Sequence, residues 1–283
     1  MKVLLLGASG MLGTDLAASA PAAVQLYAAP RSALDITDEQ SMARRIADTR
    51  PDIVLNAAAY TRVDAAESES AVSYRVNSEA VGSIGRLAAK HAALVVHFST
   101  DYVFDGEAQD DYPEDAKTNP LNVYGASKLA GEHQLANSGA PFLIIRTQWL
   151  FGIHGRSFPR TMLERARTQQ ITRVVSDQWG RPTFTVDLAR ATWELLLAGA
   201  RGYVHIANTG RTNWYELAKA VFRSEDAEAL LTPCRTEDFP TPARRPIRAV
   251  LSTNRAERLL GHPLPPWLDA VERFLSVLRA PIE

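Results

Sequence analysis

The first half of the chain alternates short apolar runs with longer stretches in which apolar and polar residues recur at helical spacing. Short continuous apolar runs are typical of strands buried on both faces of a parallel sheet, and amphipathic stretches are typical of the helices that cover it. We predict strands at residues 3–6, 24–28, 53–56, 94–99 and 142–146, and helices at residues 12–20, 38–48, 70–91 and 124–137.

The helix at 38–48 carries signals for both of its ends. Thr37 and Gln40 have capping-box spacing, which predicts its start. Arg50-Pro51 predicts its end, because proline disfavours a helical conformation in the residue before it. Since strand–helix–strand crossovers are right-handed, the alternation predicts an α/β protein with a Rossmann-like, doubly wound parallel sheet.

The pattern changes after about residue 150. It predicts helices at 188–197 and 267–278, a strand at 203–207, and a helix that starts at Asn213 and Glu216. Four prolines predict an extended or looped segment at 233–246. We therefore divide the chain into a sheet domain, residues 1–150, and a smaller C-terminal lobe, residues 151–283, that is interleaved with the sheet.

Composition excludes several classes of protein. The 283 residues include 31 basic and 32 acidic side chains, so no strong field attracts a nucleic acid. No apolar run approaches the roughly 20 residues that span a bilayer, and the run after Met1-Lys2 is too short for a signal peptide. Cys234 is the single cysteine, which fits a reducing compartment. We expect a soluble, cytoplasmic protein without nucleic-acid or membrane partners.

A glycine-rich loop follows the first strand and opens the first helix. Gly7, Gly10 and Gly13 allow a tight turn and a close approach of the backbone to a pyrophosphate. The start of the helix offers free N–H groups to phosphate. An ordinary turn is the alternative, but the position between a strand and a helix favours a dinucleotide site, with residues 1–150 as an NAD(P)-binding domain.

The end of the second strand bears on the choice of cofactor. It has no acidic residue to bind the ribose 2′-hydroxyl of NAD, and Arg31 follows it. A guanidinium suits the 2′-phosphate of NADP, so we expect NADPH to be preferred and NADH to be accepted. A solvated loop arginine is the alternative.

A tyrosine and a lysine on the helix at 124–137 point to acid–base chemistry. Tyr124 and Lys128 are four residues apart and so share one helix face. A neighbouring ammonium lowers the pKa of a phenol, and the hydroxyl of Thr100, at the end of the fourth strand, can hold a carbonyl oxygen beside it. An exposed helix pair is the alternative for the tyrosine and lysine alone.

Together these motifs resemble the extended short-chain dehydrogenase/reductases. Within them, the chain resembles the group that reduces dTDP-linked 4-keto sugars, and the resemblance extends over nearly the whole chain. It rests on residues 51–61 (PDIVLNAAAYT), 63–67 (VDAAE), 99–104 (STDYVF), 120–125 (PLNVYG), 146–149 (RTQW) and 240–246 (PTPARRP).

The resemblance implies reduction of the C4 ketone of dTDP-4-dehydro-L-rhamnose to dTDP-L-rhamnose by NADPH or NADH. Thr100, Tyr124 and Lys128 would be catalytic, and Lys128 would also bind the nicotinamide ribose. The lobe at 151–283 would mainly bind the nucleotide sugar, which Asp101 and Trp149 would contact. Further cofactor contacts would come from Met11 and Leu12 at the pyrophosphate, from Asp35 and Ile36 at the adenine, and from Ala58, Ala59 and Thr61 beyond the third strand.

A cluster of arginines lies on the proline-rich segment. We expect at least one of Arg244, Arg245 and Arg248 to contact the substrate diphosphate, since a guanidinium can bind two phosphate oxygens. Arginines in surface ion pairs are the alternative.

Some members of the group form dimers bridged by magnesium through glutamates. Here the corresponding regions hold Asp15, Val186 and Asp187, and the C-terminal tail is sparse in acids. Since magnesium requires carboxylate oxygens, we expect no metal, and either a monomer or a homodimer.

Two alternatives remain at this stage. One is another nucleotide-sugar reductase or an epimerase on the same scaffold; an epimerase would retain its cofactor through turnover. The other is a non-catalytic NADP-binding regulatory subunit, against which the intact set of Thr100, Tyr124 and Lys128 argues.

Overall fold

The computed structural model describes residues 1–279, so residues 280–283, the end of the predicted lobe, lie outside it. Its strands are β1 (Lys2–Leu6), β2 (Gln25–Ala29), β3 (Ile53–Asn56), β4 (Leu94–Thr100), β5 (Phe142–Thr147), β6 (Leu150–Phe151), β7 (Thr172–Val175), β8 (Trp179–Gly180), β9 (Thr183–Phe184), β10 (Gly202–His205), β11 (Thr212–Asn213) and β12 (Leu231–Cys234).

The helices alternate with these strands. They are α1 (Met11–Ala18), α2 (Glu39–Thr49), α3 (Val63–Ala66), α4 (Ser70–Tyr74), α5 (Ala80–Ala89), α6 (Val123–Ala136), α7 (Phe158–Arg167), α8 (Thr185–Leu197), α9 (Trp214–Arg223), α10 (Asn254–Leu260) and α11 (Trp267–Arg279). Among residues 1–279, none of the helices combines the length and the apolar character that a membrane crossing requires.

The predicted doubly wound parallel sheet is confirmed. Its strand order is β10-β5-β4-β3-β1-β2, and all neighbouring strands are parallel. The chain runs from β1 outward to β2 and then returns to the other side of β1 for β3. The crevice at the carboxyl ends of β1 and β3 is therefore the switch point at which such sheets bind ligands.

Alternate residues of each strand bury opposite faces of the sheet. Val3 and Leu5 of β1 face α1 and α8, whereas Leu4 and Leu6 face α2 and α5. Both apolar layers are nearly inaccessible to water, which fixes the register and holds the carboxyl ends of the strands rigidly.

The C-terminal half contributes to both parts of the molecule. Strand β10 extends the sheet beside β5, and α8 packs on α1. A separate core lies among α7, α9 and α11 and includes Phe151, Phe184, Phe222 and Phe274. The boundary at residue 150 remains a prediction, because the chain returns to the sheet after it.

One local prediction is wrong and another is incomplete. The N-cap of α2 is Asp38, whose Oδ1 accepts a hydrogen bond from Ser41 N (3.1 Å), rather than Thr37; Thr37 instead donates to Asp35. The helix predicted at 70–91 is continuous only through a π-helical segment, Arg75–Glu79. Asn77 in this segment binds the main chain of Tyr60 through both ends of its amide, a contact that helical periodicity does not reveal.

Candidate active site

The glycine loop lies at the switch point and is tightly packed. Gly7 has a φ of +72°, and a Cβ there would lie 2.7 Å from Ala58 N. A Cβ on Gly13 would lie 2.1 Å from Gly7 O. Gly10 is the N-cap of α1 and has no side chain to cap the helix, so the N–H groups of the first turn, which begins at Met11, remain available to a ligand. The loop thus fits a pyrophosphate.

Most of the predicted cofactor residues meet in one cavity of about 330 Å³ beside this loop. The Leu12 side chain belongs instead to the apolar core, so only its backbone is available to a cofactor. Tyr60, Arg62 and Glu69 also line the cavity, and the sequence did not single them out. Of the predicted residues it is lined by Gly7, Arg31, Asp35, Ile36, Ala58, Ala59 and Thr61.

Arg31 and Asp35 form the charged end of this cavity. The guanidinium Nε lies 3.9 Å from Asp35 Oδ2, and the arginine side chain is 85% exposed. Hydrogen bonds from Thr37, with a smaller effect of Arg31, hold the pKa of Asp35 below its ordinary value, so its carboxylate is charged at neutral pH. An exposed guanidinium suits a phosphate, whereas a carboxylate suits ribose hydroxyls.

Replacing Arg31 with alanine is expected to raise the KM for NADPH about tenfold and to change the KM for NADH less than about twofold. Only NADPH carries the 2′-phosphate, and exposure to water limits the gain from the contact. Steady-state kinetics with both cofactors measure this. Arg62→Ala, in the same cavity, is the matched control; an equal effect of both substitutions on NADPH would contradict a specific role for Arg31.

Tyr124 lies in the first turn of α6, close to the end of β4. Asn122 caps this helix through a hydrogen bond from Gly125 N (2.8 Å), and a Cβ on Gly125 would lie 2.2 Å from Tyr102 O. The rings of Tyr102 and Tyr124 meet edge to face with centroids 5.7 Å apart. Because Gly125 has no Cβ, the first turn of α6 can pack against Tyr102, and the phenol of Tyr124 lies near the carboxyl end of the sheet.

The expectation that Lys128 lowers the pKa of Tyr124 is wrong for this structure. Burial and the Asp101 carboxylate raise the pKa of Tyr124 to about 12, partly offset by the Thr100 hydroxyl. Lys128 is buried, and its Nζ donates to Phe98 O (2.6 Å) and lies 3.0 Å from His97 Nε2. Burial lowers the pKa of Lys128 to about 7, so the lysine is only partly charged at neutral pH.

Asp101 lies beside Thr100 at the end of β4. It is buried, and its Oδ1 accepts a hydrogen bond from Thr100 Oγ1 (3.0 Å). Burial raises the pKa of Asp101 to about 7, although this hydrogen bond opposes the shift. Thr100, Asp101 and Tyr124 therefore form one polar group, in which protons can be held near neutral pH.

A second cavity, of about 470 Å³, lies between the sheet and the C-terminal lobe. Tyr102 and Arg245 line it on the side of Tyr124, and this volume is in the range of small-molecule sites. Its other walls mix aromatic, apolar, basic and uncharged polar side chains, among them Phe158, Met162, Arg165, Arg173, Val174, Gln178, Trp214, Phe239 and Thr241.

Trp149 reaches this cavity through a neighbouring aromatic residue. Its ring stacks on Trp214 with centroids 3.7 Å apart, and its backbone φ is +49°. A Cβ on Gly180 would lie 2.4 Å from the Trp149 ring, so the indole is held between Gly180 and Trp214. The predicted contact of Trp149 with the substrate remains a prediction.

The three candidate arginines are separated. Arg245 forms a bidentate pair with Asp64 (2.6 and 2.8 Å) at the wall of the second cavity. Arg244 is exposed at a neighbouring cavity, and Arg248 lines a third one with Arg181 and Arg211. Among the three, the geometry favours Arg245.

Several residues of the second cavity were missed by sequence reasoning. Phe158 and Trp214 start α7 and α9, and the N-cap at Asn213 was predicted, but nothing in the spacing linked these aromatic residues to Tyr124. Only the packing of the lobe on the sheet brings them together.

The acids considered for magnesium have other partners. Asp187 accepts hydrogen bonds from Arg273 (2.7 and 2.9 Å) and from Asn208 (2.7 Å). Asp15 Oδ1 lies 3.7 Å from His154 Nε2. Within the described residues, no group of three or more His, Cys, Asp or Glu side chains could hold a metal ion.

The sheet, the glycine loop and the Thr100–Tyr124–Lys128 set define an NAD(P)-dependent oxidoreductase of the short-chain dehydrogenase/reductase class. The family model described as RmlD substrate binding domain matches residues 1–280, and the chain belongs to that family.

Similar proteins agree with this assignment. A dTDP-4-dehydrorhamnose reductase from Burkholderia thailandensis is 39% identical, and the match covers 96% of this chain and 97% of the relative. A probable dTDP-4,6-dihydroxy-2-methyloxan-3-one 4-ketoreductase from Streptomyces antibioticus is 38% identical, with 99% and 97% covered. The crystal structure of dTDP-4-dehydrorhamnose reductase from Bacillus anthracis in complex with NADP superposes with a TM-score of 0.93 at 33% identity, covering 98% of this chain and 99% of that one. The resemblance inferred from the sequence motifs is confirmed.

Proposed function

We propose that the protein reduces the C4 ketone of dTDP-4-dehydro-L-rhamnose to dTDP-L-rhamnose with NADPH. The observation that carries the proposal is the position of Tyr124. It lies close to the carboxyl end of the sheet, where the cofactor cavity is, and its ring contacts Tyr102, which lines the second cavity. The relatives named above add the nature of the sugar nucleotide.

NADPH supplies the hydride for the C4 carbon when it is bound. Tyr124 donates its proton to the oxygen of that carbon, and its raised pKa keeps the phenol protonated and ready to donate at neutral pH. The Thr100 hydroxyl orients the carbonyl oxygen at the phenol by turning its proton from Asp101 to that oxygen. A charged Lys128, one helical turn away, stabilises the phenolate that remains after the proton has left.

The second cavity supplies recognition of the nucleotide. Its aromatic side chains offer flat apolar surfaces to a thymine base, and the guanidinium of Arg245 can bind two oxygens of the diphosphate. Asp64 holds that guanidinium in place before the substrate binds, which reduces the entropy lost on binding.

Replacing Arg245 with alanine is expected to raise the KM for the sugar nucleotide by about 10- to 100-fold, the usual worth of a charge-assisted hydrogen bond. The KM for NADPH is expected to stay within about twofold, because Arg245 lies outside the cofactor cavity. Arg248→Ala is the matched control, since Arg248 lines a different cavity. An unchanged KM for the sugar nucleotide in Arg245→Ala would contradict the assignment.

A second candidate is reduction of another dTDP-linked 4-keto sugar, favoured by the Streptomyces relative named as a 4-ketoreductase. The nucleotide and the sugar can be tested together by following NADPH oxidation. We expect dTDP-4-dehydro-L-rhamnose to be reduced far faster than its GDP- and UDP-linked analogues. Faster reduction of a different dTDP-linked 4-keto sugar would favour the second candidate, and absence of oxidation with all of them would contradict both.

A further inference from the structure

Beneath the active site, three buried polar side chains form a row that the mechanism above does not use in full. Asn56 lies at the end of β3, His97 in β4 and Lys128 in α6, and each is at most 2% exposed. Asn56 Nδ2 lies 3.2 Å from His97 Nδ1, and His97 Nε2 lies 3.0 Å from Lys128 Nζ. The imidazole therefore connects the sheet to the lysine.

The orientation of the Asn56 amide fixes which ring nitrogen carries the proton. Asn56 Oδ1 accepts a hydrogen bond from Ala58 N (3.1 Å), so its Nδ2 must face the ring. An amide nitrogen is a donor only, and His97 Nδ1 must therefore accept. Since burial and the neighbouring Lys128 hold the pKa of His97 well below its ordinary value, the ring is neutral and its single proton lies on Nε2.

This proton constrains the charge of the lysine. Lys128 Nζ already donates to Phe98 O, and an ammonium would direct a further N–H toward the Nε2–H of His97. A neutral amine avoids this clash, because its lone pair accepts the imidazole proton. Every member of the row then has its hydrogen-bond partner only when Lys128 is uncharged.

The charged groups around the row do not reverse this preference. Glu132, one turn further along α6, raises the pKa of Lys128, but both of its oxygens are bound by Arg146 of β5. On the side of β3, the side chain that contacts His97 is Asn56, and its amide is uncharged. Tyr124 on α6 holds its proton, and Asp101 after β4 acts on that phenol.

We propose that His97 is a positioning residue whose Nε2–H donates to Lys128 Nζ, a bond that favours the neutral amine of Lys128 next to Tyr124. Its link to catalysis rests on the proposed reductase function. A neutral lysine carries no charge that could lower the pKa of Tyr124. Protonation of Lys128, at the cost of its bond from His97, then makes the phenol a stronger acid.

The position of the proton can be measured without any assay of activity. In ¹⁵N-labelled wild-type protein above the pKa of Lys128, we expect the ¹⁵N chemical shifts to show His97 protonated at Nε2 and bare at Nδ1. His205 is an internal contrast, because its Nδ1 lies 3.1 Å from Tyr112 O and its Nε2 faces Arg146, which requires the opposite tautomer. A His97 ring protonated at Nδ1, or at both nitrogens, would overturn the proposal.

His97→Gln tests the effect on the reaction. The glutamine oxygen can accept from an ammonium, so the pKa of Lys128 is expected to rise. In the wild type, kcat/KM is expected to fall as the pH rises through about 7, where Lys128 loses its charge. In His97→Gln this fall, the alkaline limb of the pH profile of kcat/KM, is expected about one pH unit higher. The KM for the sugar nucleotide is expected to stay unchanged within about twofold. Asp101 ionises in the same range, but it is present in both proteins, so the difference between them reports on Lys128.

The matched control is His205→Gln, which replaces a buried imidazole of the same sheet that does not contact Lys128. His205→Gln is expected to leave the alkaline limb of the kcat/KM profile at the same pH as in the wild type. An unshifted limb in His97→Gln, or an equal shift in both variants, would contradict the proposal. If no 4-keto sugar is reduced, the proposed function fails while the tautomer measurement still decides the role of His97.

Discussion

Replacing Tyr124 with phenylalanine is expected to reduce kcat by at least about 100-fold, the lower end of what general acid catalysis contributes. The substitution removes only the hydroxyl, so the ring keeps its edge-to-face contact with Tyr102. The pKa of about 12 means that the phenol carries its proton throughout the neutral range, and a phenyl ring has none to give. Fixed-time assays of product formation at saturating concentrations of cofactor and sugar nucleotide measure the effect on kcat.

The dissociation constant for NADPH separates a chemical from a structural effect. We expect it to stay within about twofold in Tyr124→Phe. Tyr203→Phe is the matched control, since Tyr203 packs on Phe142 at the edge of the sheet and is expected to be replaceable without loss of kcat. Activity of Tyr124→Phe within a few-fold of the wild type would place the proton donor elsewhere.

Replacing Arg146 with methionine is expected to lower the free energy of unfolding by about 3–5 kcal/mol, because it leaves a buried carboxylate without its counterion. Arg146 binds Glu132 through two hydrogen bonds, of 2.9 and 2.7 Å, and the two side chains are 4% and 0% exposed. The guanidinium also lies 4.8 Å from the centre of the Tyr203 ring. Urea unfolding measures the loss.

The double variant Arg146→Met/Glu132→Leu removes the charge as well as its partner. We expect it to recover most of the lost stability, because two apolar side chains replace the pair and no unpaired charge remains buried. If the double variant is as unstable as Arg146→Met alone, the loss comes from packing rather than from the unpaired carboxylate.

The parts of the fold that depend on continuous local patterns could be predicted from the sequence. Strand β3 coincides with the predicted run at 53–56, because a strand buried on both faces is apolar throughout and ends at polar residues. The glycine loop could be placed because its three glycines lie between a strand and a helix. The motif at Tyr124 and Lys128 was visible because both residues lie on one helix.

Features that depend on contacts between distant segments could not be predicted. The π-helical turn places Asn77 against Tyr60, and the stack of Trp149 on Trp214 depends on how the lobe folds back. The pKa of Tyr124 also differed from expectation, because helical spacing shows that Lys128 is near but not that burial and Asp101 raise the pKa of the phenol.

The most direct test of the proposed reduction is the fate of the cofactor hydride. The protein would be incubated with NADPH deuterated at the transferable C4 position and with dTDP-4-dehydro-L-rhamnose, and the sugar product would be analysed by NMR spectroscopy and mass spectrometry. We predict dTDP-L-rhamnose with one deuterium atom on C4 of the sugar and a matching amount of oxidised cofactor. A product without deuterium at that carbon, or a cofactor that regains its label after turnover, would contradict the assignment as a reductase.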